Sequence, residues 1–578
     1  MTTPDERRRL FTRRLLVFGG AAGGGFALLA GRLYQLQVLN HDRYALLSDR
    51  NRIRVEPLTP RRGRLLAADG AVLADGRSRF VARLGDDDAA NADQRRRIAA
   101  LLGGTVTAEH PLVLDWEDVA RLLVNKPDLP GLRVTEEDVR RNPLGAAAAH
   151  VIGYVGAPGP EAGLSRGIET VGKVGMEAAA DDDLRGSPGR REIEINAAGR
   201  RVRRLRETPP TPGRDVRLTL DRDLQVGLHT LLSDHRRAAG AVLDVETGAI
   251  RALVSTPGFD AEVLSDTIRP ADWRRLVADV DRPLFNRAVA GLYPPGSTFK
   301  MVVAVAALTE HRVVPDETIF CPGYLDIGDT RLHCWKRGGH RHVTCAEALA
   351  QSCDVYFYEA ALRTGMAAIE RAGGVLGLGT STTTGVASEP SGRIPTPEWK
   401  KAVLGDAWMK GETAIAGIGQ GFVEATPLQL AVMTARLASG RAVEPAFRDA
   451  SPDAPTLPIA PAVLDVVRQG MEGAVRSRHG TARRLLRIAP GLSLAGKTGT
   501  SQVRRISSQE RRTGVRGNDE LRWEERDHAL FVGYGPLDAP RLAISVIVEH
   551  GGSGSAVAAP IAATLLAPRL AGAVAEVG

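Results

Sequence analysis

The sequence predicts an α+β protein in three parts: a membrane anchor helix, an extended mixed α/β region, and a C-terminal domain in which helices flank an antiparallel sheet. Three observations lead to this prediction. An uncharged run follows an arginine-rich start, a proline- and glycine-rich stretch divides the rest of the chain, and both helical and strand-like patterns occur beyond it. The 578 residues are 43% hydrophobic and 25% charged, which is typical of folded globular domains.

The first element is the uncharged run from Leu15 to Ala30, which follows the segment RRRLFTRR and is closed by Arg32. About 17 helical residues span roughly 25 Å, near the short end for crossing a bilayer. Because cationic residues precede the run, we expect a cytoplasmic basic tail over 1–14 and a transmembrane signal anchor over 15–36, with the rest of the chain outside. The protein would then be a single-pass protein of the inner membrane.

A cleaved export signal is the alternative interpretation of this run. The segment TRRLLV is similar to a twin-arginine signal, and the apolar residues include many glycines. No persuasive small-x-small cleavage site separates the run from GRLYQLQ, and the preceding arginines argue against a buried soluble helix. We therefore favour the uncleaved anchor.

The charge of the chain limits its partners. The formal net charge of +8 comes largely from arginine clusters such as Arg7–Arg9. Aromatic residues do not alternate with these clusters, as they do where proteins bind single-stranded nucleic acid. We expect solvated faces or contact with anionic lipid or an anionic polymer, and no nucleic acid partner.

The stretch RETPPTPGRD (206–215) has the composition of a linker and divides the chain beyond the anchor. We expect one domain over 37–214, in which short strands and helices are mixed, and a second domain over 215–578. In the second domain, AAGAVLDVETGAIRALVS (238–255) should form a hairpin about its Thr-Gly turn. HALFVGYG and RLAISVIVEH favour strands, whereas MVVAVAALTE and CAEALAQS are typical of helices.

The first chemical motif is GLYPPGSTFK, in which Ser297 should begin a helix that carries Lys300 on the same face. A serine hydroxyl becomes a good nucleophile only when a base removes its proton. Arginine cannot be that base, whereas a desolvated lysine can lose its proton near neutral pH. Of the 76 lysine and arginine residues only eight are lysines, so a lysine here indicates a cation that must become neutral.

Two further motifs follow. In LAQSCDVYFY, Ser352 and Asp354 should end a helical segment, and in LAGKTGTSQV, Lys497 to Thr500 should begin a strand. Acyl transfer needs a nucleophile, a base, a proton relay, a cation for a substrate carboxylate and backbone donors for the oxyanion. An ordinary helix end and an ordinary turn explain these two motifs singly, but not the three motifs in this order. Gly499 would let a substrate backbone approach the strand closely.

Together the motifs resemble S-x-x-K, S-x-N and K-T-G of the serine penicillin-binding proteins and related β-lactamases. The resemblance covers almost the whole chain, through stretches such as PRRGRLLAADGAVLAD, GKVGMEAAADDDLRG and GIGQGFVEATPLQLA, and points to class B proteins of the elongation-type penicillin-binding protein 2 group. It implies a non-catalytic, dimerisation-type pedestal over 37–214 and a β-lactamase-like D,D-transpeptidase domain over 215–578. This domain would cross-link peptidoglycan stem peptides ending in D-Ala-D-Ala, and β-lactams would acylate it.

The resemblance also implies roles for single residues. Ser297 would attack the penultimate D-alanine carbonyl, and an amine of a neighbouring stem would resolve the acyl-enzyme. The base for acylation would be Lys300, and the proton relay would be Ser352. The backbone amides of Ser297 and Thr500 would form the oxyanion hole, and the substrate carboxylate would be held by Lys497, Thr498 and Thr500.

One motif residue departs from the wider family. Asp354 stands where that family has asparagine, although elongation-type members often carry S-x-D. A carboxylate beside Lys300 would favour the protonated lysine, which affects the timing of the base step.

The four cysteines lie within 33 residues, and three histidines lie among them: Cys321, Cys334, Cys345, Cys353, His333, His340 and His342. In an oxidising compartment one or two disulfides would explain them, with three connectivities if both form. A structural zinc ion held by three cysteines and one histidine is the sharper interpretation. The resemblance implies Cys321, Cys334, His340 and Cys353 as its ligands, with Cys345 spare or replacing one of them. Catalysis itself would need no cofactor.

The resemblance implies partners as well: a membrane-embedded SEDS-type (RodA-type) glycan polymerase and other proteins of the elongation complex. Two alternatives stay open. A division-type class B transpeptidase would share the motifs, although S-x-D favours elongation, and a catalytically silent penicillin-binding sensor or scaffold would keep the fold without the reaction. A weak carboxypeptidase side activity is compatible with the same chemistry.

Overall fold

The structure is a computed structural model. It describes residues 4–40, 52–84, 88–103, 112–129, 132–160, 163, 167–196, 201–266, 268–504, 510 and 515–571. The first residues of the predicted cytoplasmic tail, 1–3, lie outside this range. The chain divides into two compact units, one of residues 1–61, 161–168 and 186–212, and one of residues 62–160, 169–185 and 213–578.

Up to residue 217, the described chain contains the following helices and strands. The α-helices are α1 (Pro4–Tyr34), α2 (Asp88–Leu102), α3 (Trp116–Val124), α4 (Ala149–Ile152), α5 (Gly175–Ala179) and α6 (Asp181–Leu184). The strands are β1 (Ile53–Leu58), β2 (Leu65–Leu66), β3 (Val72–Leu84), β4 (Leu112–Leu114), β5 (Leu132–Arg141), β6 (Tyr154–Gly156), β7 (Val171–Val174), β8 (Gly189–Ile195), β9 (Arg201–Thr208) and β10 (Val216–Arg217).

The first unit contains the predicted anchor and a small sheet. Helix α1 continues as a π-helical turn over Gln35–Leu39, and the helical segment Phe11–Leu39 is long and apolar enough to cross a membrane. Its apolar side chains are exposed rather than packed in a core, as a lipid-facing helix requires. The sheet is antiparallel with the order β1, β8, β9, and β9 is exposed along its whole length.

The second unit begins with a mixed five-stranded sheet. Its order is β10, β2, β3, β4, and the long strand β3 also pairs with β5. Apolar side chains of β3, β4, α2 and α3 close a local core there, with Ile98 and Leu122 fully buried. This part shows the mixture of short strands and helices that the sequence predicted for the pedestal.

The remainder of the second unit contains the following elements. The helices are α7 (Arg222–Ser233), α8 (Ala261–Ser265), α9 (Pro270–Ala278), α10 (Arg287–Ala290), α11 (Lys300–Thr309), α12 (Cys345–Gln351), α13 (Asp354–Thr364), α14 (Met366–Val375), α15 (Pro397–Leu404), α16 (Lys410–Ala416), α17 (Pro427–Ser439), α18 (Pro461–Arg476), α19 (Leu485–Ile488) and α20 (Ala558–Ala571). The strands are β11 (Ala238–Asp244), β12 (Ile250–Thr256), β13 (Ile319–Cys321), β14 (Tyr324–Ile327), β15 (Thr330–His333), β16 (Arg341–Val343), β17 (Ala495–Ser501), β18 (His528–Gly535) and β19 (Leu542–Val548).

A five-stranded antiparallel sheet forms the centre of this region, in the order β12, β11, β19, β18, β17. Successive residues of a strand point to opposite faces, and both faces are buried. Along β18, Leu530 and Val532 join the core that contains α11 and α17, whereas Ala529 and Phe531 join the core that contains α7 and α20. Helices therefore cover both faces of the sheet.

These elements confirm the predicted α+β fold class. The predicted hairpin is the pair β11 and β12, the two predicted C-terminal strands are β18 and β19, and the two predicted helices are α11 and α12. Residues 209–215 of the predicted linker lie between β9 and β10. The domain boundary at residue 214 stays a prediction.

Candidate active site

Ser297 lies in a short 3₁₀ turn, Gly296–Phe299, that leads directly into the buried helix α11. Gly296 has a φ of 54°, and a Cβ atom there would lie 2.6 Å from the carbonyl oxygen of Thr500. Glycine is therefore required before the serine, both for its backbone conformation and for the close approach of β17. The turn directs Ser297 into a cleft, where its side chain is half-buried.

Ser352 and Asp354 lie at the junction of two helices. Helix α12 begins with a capping box formed by Thr344 and Glu347 and ends at Ser352, whose φ of 57° is left-handed. Asp354 is the first residue of α13, so the prediction that it ends a helical segment is wrong. The sequence did not reveal this break between α12 and α13, because a serine, and not the usual glycine, adopts the left-handed conformation at the end of α12.

The hydroxyl of Ser352 lies between two buried amines. Lys300 Nζ donates to Ser352 Oγ at 3.2 Å, to the Ser352 carbonyl at 2.9 Å and to Asp354 Oδ1 at 2.7 Å. Lys497 Nζ donates to Ser352 Oγ at 2.9 Å and to the carbonyl of Thr498 at 3.0 Å. The three motifs, which are 55 and 145 residues apart between Ser297 and Ser352 and between Ser352 and Lys497, thus meet at one hydroxyl.

The two lysines differ in their charged partners. Lys300 forms a salt bridge with Asp354. Burial, reinforced by the nearby charge of Lys300, lowers the pKa of Lys497 well below the usual lysine value. Burial raises the pKa of Asp354, and the ion pair with Lys300 opposes this effect. Lys497 therefore loses its proton more readily than an ordinary lysine, as a proton-transfer network requires.

Lys497, Thr498, Gly499 and Thr500 occupy the middle of β17 and not its front. Thr498 and Thr500 line the cleft, and Gln420 Nε2 donates to the Thr500 carbonyl at 3.1 Å. Gly499 faces the other way: a Cβ atom there would lie 3.1 Å from the Pro295 carbonyl, from Thr298 Cγ2 and from Leu530 Cβ. The reason predicted for this glycine is therefore wrong, because its small size lets β17 pack against the Ser297 turn and does not open the cleft.

These residues surround a cleft of about 700 Å³. Ser297, Ser352, Asp354, Thr498 and Thr500 line it, while Lys300 and Lys497 lie fully buried behind them. The structure thus brings together all the residues that the sequence predicted for the chemistry.

Sequence reasoning missed several residues of the cleft. Thr498 Oγ1 donates a hydrogen bond to Thr481 Oγ1 at 2.9 Å, and Trp335 lines the cleft near Asp354. The stretch GIGQGF, already noted for its resemblance, contained a signal for Gln420. No pattern in the sequence points to Thr481, which lies in a loop.

Four predicted metal ligands form a buried cluster beside Asp354. The ligand atoms of Cys321, Cys334, His340 and Cys353 all lie within 4.8 Å of one another, and no disulfide joins any of the four cysteines of the chain. Cys345 lies outside the cluster, where burial raises the pKa of its thiol to about 12.

The donor set and spacing of this cluster fit zinc. Tetrahedral ligands at zinc–sulfur distances of about 2.3 Å are about 3.8 Å apart, which is compatible with ligand atoms that all lie within 4.8 Å of one another. His340 Nδ1 lies 3.5 Å from Cys334 Sγ and 3.6 Å from Cys321 Sγ. A hydrogen bond from the Cys353 thiol, reinforced by His340, lowers the pKa of Cys334 against the effect of burial. A thiolate is the form of cysteine that binds metal.

Three features of this site define a serine acyl-transfer enzyme. They are a serine at a turn, a second hydroxyl held between two lysines, and a strand that carries K-T-G. Comparisons with known proteins agree with this class. The family model described as penicillin binding protein transpeptidase domain matches residues 238–567, and the penicillin-binding protein dimerisation domain matches residues 57–218.

Relatives and solved structures extend over nearly the whole chain. The peptidoglycan D,D-transpeptidase MrdA of Haemophilus influenzae is 34% identical and covers 93% of this chain and 89% of its own. Penicillin-binding protein 2 of Helicobacter pylori, solved in complex with MreC, has a TM-score of 0.78 at 26% identity and covers 90% of this chain and 98% of its own. A chain of a peptidoglycan synthase complex that coordinates polymerization and crosslinking has a TM-score of 0.73 at 31% identity, with coverages of 96% and 98%.

The chain therefore belongs to the penicillin-binding proteins, within the elongation-type penicillin-binding protein 2 group. The predicted family and the predicted class of enzyme, a serine transpeptidase, are confirmed. The roles of single residues stay predictions.

Proposed function

We propose that this protein is a peptidoglycan D,D-transpeptidase that cross-links stem peptides during cell-wall elongation. The observation that supports it most is the Ser352 hydroxyl held between Lys300 and Lys497 beside the cleft that Ser297 lines. The name peptidoglycan D,D-transpeptidase, carried by relatives that match most of this chain, supports the same substrate class.

The charges of the site suggest how Ser297 becomes nucleophilic. The lowered pKa of Lys497 favours a neutral amine next to Ser352. When the C-terminal carboxylate of a stem peptide binds at Thr498 and Thr500, its negative charge favours a proton on Lys497. That proton passes from Lys300 through the Ser352 hydroxyl, and Lys300 is left neutral as the base.

The bonds then change in two steps. Ser297 Oγ loses its proton to Lys300 and forms a bond with the carbonyl carbon, and the oxyanion is held by backbone amides of Ser297 and Thr500. The bond to the terminal D-alanine nitrogen breaks, and the proton passes through Ser352 to that leaving amine. The amine of a second stem forms an amide bond with the ester carbonyl carbon and loses a proton to the same network. The bond from that carbon to Ser297 Oγ breaks, and Ser297 Oγ takes a proton back from the network.

A cross-linking assay tests this function. Glycan strands with pentapeptide stems, incubated with the full chain in detergent, should release D-alanine and give cross-linked muropeptides, whereas Ser297→Ala should give neither. Labelling by penicillin without any cross-link or released D-alanine would contradict the proposal and favour a penicillin-binding sensor or scaffold.

The location and partners follow from the same proposal. The exposed apolar segment Phe11–Leu39 supports a single-pass anchor in the inner membrane, with the catalytic domain in the periplasm. A structural relative was solved with MreC and another in a peptidoglycan synthase complex, which supports an elongation scaffold and a SEDS-type polymerase as partners. These names favour elongation over the division-type alternative.

We also propose that Cys321, Cys334, His340 and Cys353 hold a structural zinc ion. The ion would fix Cys353, and with it the residues on either side, Ser352 and Asp354; it would supply no catalytic chemistry. The support is the buried Cys₃His donor set, whose ligand atoms lie within 4.8 Å.

Metal analysis with matched cysteine variants tests the zinc proposal. Protein purified without chelator should contain one zinc ion per chain, both in the native form and in Cys345→Ser, which changes the cysteine outside the cluster. Cys353→Ser should lose the ion and unfold at a lower temperature. Native protein with no metal and no free thiols would contradict zinc and favour disulfides.

A further inference from the structure

The side chain of Trp335 lies at the cleft and contacts the second motif directly. Its indole Nε1 donates to the carbonyl of Ser352 at 3.1 Å and to the carbonyl of Gln351 at 3.2 Å. The residue is otherwise 60% exposed, and it lines the cleft. A large aromatic side chain is thus held beside the site by its single polar atom, and its ring packs against His340 with ring centroids 5.6 Å apart.

The contacted residue has an unusual backbone. Ser352 adopts a left-handed φ of 57°, a conformation that residues other than glycine rarely adopt. Its carbonyl accepts hydrogen bonds from both Trp335 Nε1 and Lys300 Nζ. The orientation of this peptide group sets the direction of the Cα–Cβ bond of Ser352, and hence whether Oγ reaches both lysines.

The backbone of Trp335 contacts the other side of the same junction. Its amide donates to Asp354 Oδ2 at 2.8 Å, while Asp354 Oδ1 accepts from Lys300. Trp335 therefore holds the residues before and after Cys353 with two separate groups, the indole and the amide. A substitution of the side chain removes only the first of them.

We propose that Trp335 is a positioning residue for the transpeptidase reaction: its indole N–H holds the Ser352 carbonyl and so keeps the Ser352 hydroxyl between Lys300 and Lys497. This inference rests on the proposed function. It assigns a role in the acylation step to a residue outside the three motifs.

Trp335→Phe is the variant that tests the inference, because it keeps an aromatic ring and the backbone amide but removes the N–H donor. The probe is a fluorescent penicillin, for which the dissociation constant and the acylation rate constant are measured separately. Trp335→Phe should lower the acylation rate constant roughly three- to tenfold, the effect of one lost hydrogen bond. The dissociation constant should not change, and the unfolding temperature should fall by at most a few degrees, because the same hydrogen bond is lost from the folded protein. Trp116→Phe, at an exposed tryptophan of α3, is the matched control and should acylate at the native rate.

Each other outcome has a definite meaning. A native acylation rate constant in Trp335→Phe would overturn the inference, and so would a loss of rate no larger than the fraction of chains unfolded at the assay temperature. Trp335→Ala should lower the rate at least as much as Trp335→Phe. If the native chain is labelled but forms no cross-links, the proposed function fails, while the effect of Trp335 on acylation can still be measured.

Discussion

The smallest feature on which the proposed mechanism depends is one hydroxyl that accepts hydrogen bonds from two amines. Ser352 Oγ lies 3.2 Å from Lys300 Nζ and 2.9 Å from Lys497 Nζ, so a proton can move between the lysines through a single oxygen. Direct contact between two charged lysines would be repulsive, and the hydroxyl bridges the two amines instead.

Removal of that hydroxyl should slow acylation strongly. Ser352→Ala should lower the rate of acylation by fluorescent penicillin roughly 100-fold or more, the usual contribution of a positioned proton-transfer group. Ser501→Ala is the control: its buried hydroxyl has no hydrogen-bond partner among the described residues, so its loss should leave the rate unchanged. Equal rates in the native chain and Ser352→Ala would exclude the relay.

Lys497 should lower stability while it serves catalysis. Lys497→Met, which removes a buried amine of lowered pKa, should raise the free energy of unfolding by roughly 1 kcal/mol at neutral pH and abolish acylation. Denaturant titration measures the first effect and penicillin labelling the second. A large loss of stability in Lys497→Met would show that the hydrogen bonds of the amine outweigh the cost of burying it.

The same lysine predicts a pH dependence. Because the folded state holds Lys497 with a lowered pKa, the unfolded chain binds more protons between that pKa and the ordinary lysine value of about 10.4. The free energy of unfolding of the native chain should therefore rise with pH in this window, relative to Lys497→Met. A difference between the two proteins that is constant from neutral pH to about pH 10 would contradict the assignment.

At the scale of secondary structure, the site requires β17 to pack closely against the Ser297 turn. Gly499 makes this contact possible, since a Cβ atom there would lie 3.1 Å from Pro295 and Thr298. Gly499→Ala should separate the two elements, lower the free energy of unfolding by roughly 1–3 kcal/mol and reduce acylation. Thermal unfolding and the labelling rate measure these effects.

Gly374 offers a matched control for this substitution. It lies in helix α14, and beyond its chain neighbours and the backbone of that helix, no atom of a described residue lies within 4 Å of the position its Cβ would take. Gly374→Ala should leave acylation unchanged and stabilise the helix by up to about 1 kcal/mol. If Gly499→Ala behaved like Gly374→Ala, the close packing would not be important for the site.

Sequence patterns predicted those parts of the site in which the spacing of residues along one helix or strand sets their geometry. Ser297 and Lys300 share one helical segment, and Lys497 to Thr500 share one strand, so their sequence order sets their geometry. The sequence could not indicate which face of β17 Gly499 uses, because that sheet is buried on both faces and shows no polar side. Thr481 was missed because a loop brings it to Thr498 through tertiary packing alone.

At the scale of the whole molecule, the apolar helix should determine where the enzyme works and not whether it works. A variant without residues 1–36 should move from the membrane fraction to the soluble fraction and keep the native rate of penicillin acylation, because the cleft is built from residues of the second unit. Fractionation followed by labelling measures both properties. Membrane retention of this variant would argue against a single N-terminal anchor.

The most direct test of the central claim, that Ser297 is the nucleophile, is to map the penicillin adduct by peptide mass spectrometry. We expect one adduct per chain in the native protein, on the peptide that contains Ser297, and none in Ser297→Ala of the same unfolding temperature. An adduct on another residue, or an adduct retained by Ser297→Ala, would contradict the claim.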